Sequence, residues 1–240
     1  MRESWGASYN KPDIVMPLVF MIGKSTDTTD VTLQKQMVSE NNIYKDIIQA
    51  DFEDTYLNST TKTLIAYRWV RHHCSQAKYV LVANDDVVID IFKLIPYLES
   101  YQNQNDRQIL LCHFYPCCML ADKPKPPSGS EVSSILPYMY RGKAYPSYCS
   151  ASAYVTSSNV IQTMYLMSKD TPLFVPEDPY LGVLSEKLGV PLKDTSSSFV
   201  GLDGPLSLMN LFNDSNYLDQ PTMVGVITNN FPHREVGTPY

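Results

Sequence analysis

Short apolar runs alternate with longer amphipathic segments through most of the chain. Apolar runs bounded by turn residues are typical of buried strands, and apolar residues at helical spacing are typical of helices. Strands are predicted over residues 17–23, 46–50, 79–83, 108–115 and 151–155. Helices are predicted over residues 30–41, 60–73, 90–101, 159–167 and 180–188. This alternation predicts an α/β fold in which helices flank both faces of a mostly parallel central sheet.

The length and the charge of the chain narrow the class of protein. A chain of 240 residues fits one α/β domain, and we assign residues 1–240 to a single domain. The formal net charge is −6 and no cluster of Lys or Arg is present, which argues against nucleic acid as a partner. No apolar run is long enough to span a bilayer, and residues 1–6 do not resemble a signal peptide. An NAD enzyme is a distant alternative, because no Gly-x-Gly-x-x-Gly follows the first strand.

An acidic turn follows the third predicted strand. The apolar residues 79–83 run directly into Asn84, Asp85 and Asp86. In open α/β folds, ligands bind at the carboxyl ends of the strands. Carboxylate oxygens at that edge suit Mn²⁺ or Mg²⁺, and such a metal commonly holds a diphosphate. The same three residues are also typical of a solvated turn or a helix cap, so this motif leaves both interpretations open.

Glu177 and Asp178 form a second acidic site, between Pro176 and Pro179. The prolines restrict the backbone on either side of the two carboxylates, and the predicted helix over residues 180–188 follows them. Acids at a helix N-terminus commonly serve as caps or as partners of the helix dipole. Two acidic turns in one α/β domain also suit a catalytic site, and the residues alone leave this choice open.

Five blocks of the sequence occur in the order of a known set of motifs. They are Arg2-Glu-Ser-Trp5, Tyr44 to Thr63, the strand and acidic turn over residues 78–86, Tyr145-Pro-Ser-Tyr-Cys-Ser-Ala-Ser-Ala-Tyr154 and Glu177-Asp-Pro-Tyr-Leu-Gly182. Together they resemble the β1,3-glycosyltransferase family, which includes β1,3-galactosyltransferases, β1,3-N-acetylglucosaminyltransferases and the Fringe proteins. The resemblance covers the chain from its start to the region of residue 195.

The resemblance implies a GT-A fold, which is a Rossmann-like domain that binds a UDP-sugar at the carboxyl edge of its sheet. It implies an inverting transfer from UDP-galactose or UDP-N-acetylglucosamine to the 3-hydroxyl of an acceptor glycan on protein or lipid. Asp178 matches the family's general base, and Glu177 beside it would support the base or bind the acceptor. Asp86 matches the residue that holds Mn²⁺ or Mg²⁺ on the diphosphate. The matching nucleotide-sugar positions are Arg2, Trp5, Asn84 and Asp85.

The chain departs from the family pattern at positions that bear on the metal. The first Asp of the family's acidic triplet is Asn84 here, and the family's late metal-binding His aligns with Asn230. His233 lies close enough in sequence to act as a substitute ligand. Asp86 and Asp178 are retained, so we expect an active enzyme with weaker metal affinity. The alternative is a non-catalytic relative that binds glycans or serves as a scaffold.

The resemblance also implies a compartment and a cross-link. It pairs Cys74 with Cys149 in a disulfide, whereas two buried thiols would be expected in the cytosol. Sequons at Asn58 and Asn213 permit N-glycosylation in the secretory pathway. Members of the family are anchored in the Golgi membrane by an N-terminal helix and a stem. We therefore expect a type II membrane protein with a lumenal catalytic domain, whose anchor and stem precede Met1.

Overall fold

The computed structural model describes residues 1–6, 15–27, 31–102, 108–116, 118–119, 140, 144–202 and 224–227. The α-helices in these residues are α1 (Val31–Tyr44), α2 (Ser59–His73), α3 (Ile91–Gln102), α4 (Ser158–Ser168) and α5 (Glu177–Leu188). The strands in the same residues are β1 (Phe20–Lys24), β2 (Ile47–Glu53), β3 (Tyr79–Ala83), β4 (Val87–Ile89), β5 (Leu110–Tyr115), β6 (Cys118–Met119), β7 (Ala144–Tyr145), β8 (Tyr148–Ser157), β9 (Lys193–Asp194), β10 (Phe199–Leu202) and β11 (Val224–Ile227). Every predicted strand and helix is present, with its ends displaced by a few residues at most. Within the described part of the chain, no helix has both the length and the apolar character needed to cross a membrane.

The largest sheet is mixed, so the prediction of a mostly parallel sheet is wrong for the described strands. Its order is β3–β8–β5–β9, in which β8 runs antiparallel to both β3 and β5 while β9 is parallel to β5. A parallel pair requires a crossover connection, usually a helix. Strand β8 needs no such crossover, because it runs antiparallel to both of its neighbours, β3 and β5.

Smaller sheets surround this one. Strands β1 and β2 form a parallel pair. Helix α1 is linked to the pair by a hydrogen bond of 2.9 Å between the amides of Gln34 and Gln49, and by the Ile47 N–H, which donates to the Asn41 side chain over 3.0 Å. Strand β11 lies between β4 and β10. It is antiparallel to β4 and parallel to β10. Strand β4 therefore fixes the chain directly after the acidic turn.

Apolar side chains pack on both faces of the β3–β8–β5 sheet. Successive strand residues point to opposite faces, so Leu110 and Tyr154 join one core cluster whereas Leu111 and Val155 join the other. Helices α2, α4 and α5 complete the first cluster, and α3 with β4 completes the second. Within the first cluster the hydroxyls of Tyr67 and Tyr154 lie 2.8 Å apart. Helices therefore cover both faces of the sheet, as predicted. Burial of apolar side chains, which contributes about 1.5–3 kcal/mol for each large side chain, holds α5 against β8.

Candidate active site

Helix α5 begins with the second acidic pair. Pro176 stands before the helix in an extended conformation, and Glu177 and Asp178 belong to the first turn. The first N–H groups of a helix have no partner within it and favour negative charge nearby. At the other end, Gly189 terminates the helix in the left-handed conformation, with φ 64° and ψ 25°. The predicted place of both acids at a helix N-terminus is confirmed.

Two contacts fix the start of α5 against the rest of the protein. A Cβ atom at Gly182 would lie 2.7 Å from the Cβ atom of Tyr148, so α5 approaches the start of β8 only because residue 182 is glycine. On the other side, the Thr60 hydroxyl of α2 donates a buried hydrogen bond of 2.8 Å to the carbonyl oxygen of Phe174. The position of Asp178 is therefore set by both β8 and α2.

The carboxyl group of Asp178 is only partly exposed, and its acidity is altered. Burial raises the pKa of Asp178 to about 6, and the negative charge of Glu177 adds to this rise. The backbone N–H groups of Asp178 and of Ala151 act on the carboxylate in the opposite direction. A carboxylate of this kind is ionised at neutral pH yet more basic than an ordinary one. These are the properties that a general base requires.

The acidic turn between β3 and β4 lies at the surface. Asn84, Asp85 and Asp86 are exposed, and the N–H of Asn84 donates to the carbonyl oxygen of Ser152 in β8 over 2.9 Å. Although Asp86 is exposed as a residue, the surrounding protein removes part of the hydration of its carboxyl group. This loss of hydration, with the charge of Asp85, raises the pKa of Asp86. A cation would relieve the repulsion between two such neighbouring carboxylates.

Strand β8 brings the two acidic sites together. The carbonyl oxygen of Ser152 accepts from Asn84 of the acidic turn. The preceding residue, Ala151, interacts through its N–H with the carboxylate of Asp178. The turn and the candidate base therefore contact consecutive residues of the same strand, whose Cα atoms are about 3.8 Å apart. The two motifs that the sequence singled out therefore lie at one edge of the mixed sheet.

The acidic turn has the donor chemistry for a divalent cation. Asp85 and Asp86 offer the hard oxygen ligands that Mn²⁺ and Mg²⁺ prefer. Among the residues that the structure describes, no three His, Cys, Asp or Glu side chains converge as a complete metal site. Further ligands would come from water, from a diphosphate, or from His233, which lies with Asn230 outside the described residues. The donor set thus fits a cation that is shared with a substrate.

Arg2 and Trp5 attach the N-terminal segment to two different sheets. The guanidinium group of Arg2 binds both carboxylate oxygens of Asp46, at 2.6 and 2.8 Å, and one oxygen of Glu40 at 2.6 Å. The indole N–H of Trp5 donates over 2.9 Å to the carbonyl oxygen of Val87, the residue that follows the acidic turn. Trp5 therefore helps to hold the turn in place. Contact of either side chain with a nucleotide stays a prediction.

The predicted disulfide is wrong in one of its two partners, because Cys149 is bonded to Cys112. These residues lie on the antiparallel neighbours β5 and β8, with 5.4 Å between their Cα atoms. That separation is within the disulfide range of about 4.4–6.8 Å. Cys74 follows α2 and is a free thiol in the described part of the chain, where burial raises its pKa. The pairing depends on the adjacency of two strands, which the resemblance did not supply.

The first sequon is built into the fold. The side-chain N–H of Asn58 donates to the carbonyl oxygen of Glu53 over 2.9 Å, and Thr60, the third residue of the sequon, is buried. Asn213 of the second sequon lies outside the described residues. Glycosylation at either asparagine stays a prediction.

An aromatic cluster that the sequence pattern did not indicate lies near the start of α5. Its rings, with centroids 4.8 to 5.9 Å apart, belong to Tyr140, Tyr145, Phe174 and Tyr180. Tyr56 stands nearby in the short 3₁₀ turn before α2. Burial raises the pKa of the Tyr56 hydroxyl, and the charges of Glu177 and Asp178 add to the rise, so this ring is within electrostatic reach of both acids. The only hint in the sequence is that Tyr56 lies inside the second motif block, Tyr44 to Thr63, and nothing in that block indicates where its ring lies.

The sequence from residue 1 to residue 196 matches the galactosyltransferase family. The chain belongs to this family. Both acidic sites and the disulfide fall within the matched region. The identification made from the five motif blocks is therefore confirmed.

Relatives within the galactosyltransferase family carry the names of specific reactions. Mouse (Mus musculus) lactosylceramide 1,3-N-acetyl-β-D-glucosaminyltransferase is 29% identical over 197 residues, which are 79% of this chain and 50% of the relative. Human (Homo sapiens) β-1,3-galactosyltransferase 1 is 32% identical over 196 residues, which are 79% of this chain and 56% of the relative. This chain thus spans about half the length of the curated relatives it matches.

Proposed function

We propose that this chain is a UDP-sugar-dependent β1,3-glycosyltransferase. It would move galactose or N-acetylglucosamine from UDP to the 3-hydroxyl of an acceptor glycan, with inversion at the anomeric carbon. Family membership supports glycosyl transfer, and the two relatives are named for 1,3-linked transfer. The observation that carries the proposal is the placement of Asp178, which is partly buried and has a raised pKa. Its carboxylate interacts with the backbone of Ala151, and the next residue, Ser152, bonds to the acidic turn. A GT-A arrangement of the whole domain belongs to the same proposal.

In the proposed reaction, Asp178 accepts the proton of the acceptor hydroxyl. The hydroxyl oxygen forms its bond to the anomeric carbon while the bond from that carbon to the diphosphate oxygen breaks, and UDP departs. Attack from the face opposite the leaving group inverts the anomeric centre. A general base of this kind contributes about 10²- to 10⁴-fold to the rate. Burial, to which the neighbouring charge of Glu177 adds, raises the pKa of Asp178 and keeps its carboxylate basic.

The acidic turn is the proposed donor site. Asp86, with His233, would hold Mn²⁺ or Mg²⁺, which when bound would stabilise negative charge on the departing diphosphate. Asn84 contributes an amide in place of a carboxylate, so the site has less charge than the family pattern and its affinity for metal should be lower. The proposed contacts of the nucleotide sugar are Arg2, Trp5, Asn84 and Asp85.

The proposal includes the lumen of the Golgi as the place of reaction, with the protein as a type II membrane protein. The disulfide between Cys112 and Cys149 supports an oxidising compartment, since structural disulfides are rare in the cytosol. The sequon at Asn58 is consistent with the same route. Mapping of the disulfide and of glycans on the protein from cells tests this assignment.

A second candidate function is glycan binding without catalysis. Two observations favour it: Asn84 replaces a metal-binding type of residue, and the described residues do not form a complete metal site. On this alternative the protein would bind an acceptor glycan or a partner enzyme and would not turn over a UDP-sugar.

Calorimetry and a transfer assay together separate the two functions. UDP is titrated into the chain with Mn²⁺ and with EDTA, and both UDP-sugars are then tested with simple glycoside acceptors. Asp178→Asn should lose transfer by about a hundredfold or more while binding UDP as the parent chain does. Asp86→Asn should lose the metal-dependent part of UDP binding. The matched control is Asp51→Asn, which removes an exposed carboxylate that pairs with Lys24 on the β1–β2 pair.

The outcomes of these measurements are distinct. Transfer that persists in Asp178→Asn would contradict the role of this residue as the base. UDP binding without transfer from either donor would favour the glycan-binding alternative. A folded chain that does not bind UDP with or without metal would rule out the proposed enzyme.

A further inference from the structure

Tyr56 is an exposed aromatic residue held in a fixed position. Its side chain is 52% exposed, although the short turn that carries it is tied down on both sides. The side chain of Asn58, the last residue of the turn, donates to the carbonyl oxygen of Glu53, which precedes the turn. After it, the Thr60 hydroxyl bonds to the buried carbonyl oxygen of Phe174, close to the start of α5. A large exposed ring on a rigid support is a feature of ligand sites more than of ordinary surface.

An aromatic cluster near Tyr56 reaches into the core. Tyr145 interacts electrostatically with Tyr56, and its ring stacks on that of Phe174 with centroids 5.9 Å apart. Phe174 in turn meets Tyr180 of α5 edge to face, at 5.2 Å. The exposed ring of Tyr56 therefore lies within electrostatic reach of this aromatic cluster and of the candidate base.

We propose that Tyr56 forms one wall of the acceptor subsite and positions the acceptor sugar over Asp178. This inference rests on the proposed function, because it assigns a substrate to the same site. The acceptor hydroxyl must come within hydrogen-bond reach of the base. The turn that carries Tyr56 is joined through Thr60 to the segment that leads into α5, and the charge of Asp178 reaches Tyr56. The donor diphosphate belongs instead at the acidic turn, which bonds to Ser152. The Tyr56 ring offers an apolar surface to the C–H face of a pyranose, and the Tyr56 hydroxyl offers a hydrogen-bonding group to the hydroxyls of the sugar.

The charges around Tyr56 also select the class of acceptor. Besides burial, the negative charges of Glu177 and Asp178 raise the pKa of the Tyr56 hydroxyl. A terminal sugar that carries a carboxylate would meet repulsion at this wall, which is an element of selection against the wrong ligand. The subsite therefore takes a neutral pyranose, and methyl β-glucoside should bind more tightly than methyl β-glucuronide.

Substitutions within one turn test the wall directly. Tyr56→Ala should raise the acceptor KM about three- to tenfold, the range expected for loss of an aromatic contact. Tyr56→Phe, which keeps the ring, should retain most of the affinity for the acceptor. Leu57→Ala is the matched control, because Leu57 is 45% exposed in the same turn. All variants should keep the parent dissociation constant for UDP, and thermal unfolding shows whether each is folded.

Two results would overturn this inference while leaving the proposed function intact. One is an unchanged acceptor KM in a folded Tyr56→Ala chain, and the other is an equal rise in Leu57→Ala. If the parent chain binds UDP without transferring sugar, saturation-transfer NMR with lactose replaces the kinetic assay. Loss of the lactose signals in Tyr56→Ala alone would then support the wall. Equal signals in both chains, or no lactose binding by the parent chain, would refute it.

Discussion

The side-chain hydroxyl of Thr60 donates a hydrogen bond of 2.8 Å to the backbone carbonyl oxygen of Phe174, across 114 residues of sequence. Both residues are buried, and the bond joins the first turn of α2 to the segment that leads into α5. Thr60 is also the third residue of the Asn58 sequon. One side chain thus carries a structural contact and part of a modification signal, and substitutions can separate these two roles.

Thr60→Ala should lower the free energy of unfolding by about 1–3 kcal/mol, because the carbonyl oxygen of Phe174 is left buried without its donor. Thr60→Ser keeps the hydroxyl and the sequon and should cost less than Thr60→Ala. Asn58→Gln removes the sequon together with the hydrogen bond from the Asn58 side chain to the carbonyl oxygen of Glu53, and it should cost less than Thr60→Ala because that bond is not buried. Urea denaturation of unglycosylated protein measures all three. Equal losses in Thr60→Ala and Asn58→Gln would show that the buried bond is not the cause.

The rate of transfer should depend on the ionisation of Asp178. Since burial raises its pKa to about 6, kcat/KM for the acceptor should fall as the pH drops through about 6. Glu177→Gln removes the neighbouring negative charge, lowers the pKa of Asp178, and should move this acid limb to lower pH. The pKa values of the facing hydroxyls of Tyr56 and Tyr154 are raised, so neither group ionises in this range. If the acid limb of the pH–rate profile fell at the same pH in the parent chain and in Glu177→Gln, the result would count against Asp178 as the titrating base.

Asp178→Asn should make the fold more stable at neutral pH. The pKa of Asp178 is about 6 in the folded chain against the ordinary 3.8, so the folded state binds the proton more tightly than the unfolded state. Stability therefore falls as pH rises between these values, and the cost is complete above about pH 6. Because asparagine cannot ionise, the free energy of unfolding of the Asp178→Asn chain should exceed that of the parent chain by about 1–2 kcal/mol at about pH 8. This figure is reduced for partial exposure of the side chain. Urea denaturation at about pH 8 and about pH 3 checks it, and a gain of equal size at both would exclude ionisation as the cause.

Loss of the disulfide should be more costly than loss of the free thiol. Cys112 and Cys149 are 37 residues apart, so the cross-link should contribute about 3–4 kcal/mol by the loop-closure estimate. Cys112→Ser should show this loss in denaturant unfolding, whereas Cys74→Ser breaks no cross-link in the structure and should show much less. Peptide mapping without reducing agent should recover Cys112 joined to Cys149. A peptide that joins Cys74 to Cys149 would instead restore the pairing expected from the resemblance.

Two glycines of α5 should respond to alanine for different reasons. Gly182→Ala places a Cβ atom 2.7 Å from that of Tyr148, so it should cost about 1–3 kcal/mol and displace the helix that carries Asp178. Gly189→Ala meets open space but must adopt φ 64°, which costs about 1 kcal/mol. Transfer should therefore fall in the first variant and persist in the second. Parent-like rate and stability in Gly182→Ala would show that α5 does not need this close approach.

Local patterns in the sequence predict the elements that carry the site. The apolar run of β3 ends at Ala83 in both the prediction and the structure, and the acids Glu177 and Asp178 begin a helix as expected. These features depend on residues close together in the chain, where hydrophobic spacing and turn chemistry act directly.

Features that depend on distant residues could not be predicted in the same way. The antiparallel direction of β8 and the pairing of Cys149 with Cys112 both follow from which strands become neighbours. Nothing around Tyr56 in the sequence indicates that it lies within electrostatic reach of Asp178, because the two residues are far apart in the chain and are brought near each other by tertiary packing. The motif resemblance predicts roles for the acids but says nothing about the aromatic side chains near them.

The buried hydroxyl pair of Tyr67 and Tyr154 restricts the routes by which related sequences can diverge. Phenylalanine at one position leaves the other hydroxyl buried without this partner, at a cost of about 1–3 kcal/mol. Phenylalanine at both positions keeps the ring volumes and removes both polar groups, so the double change should be nearly neutral. A lineage that acquires the first substitution is then under pressure to acquire the second. The two positions, one in α2 and one in β8, are expected to covary across the family.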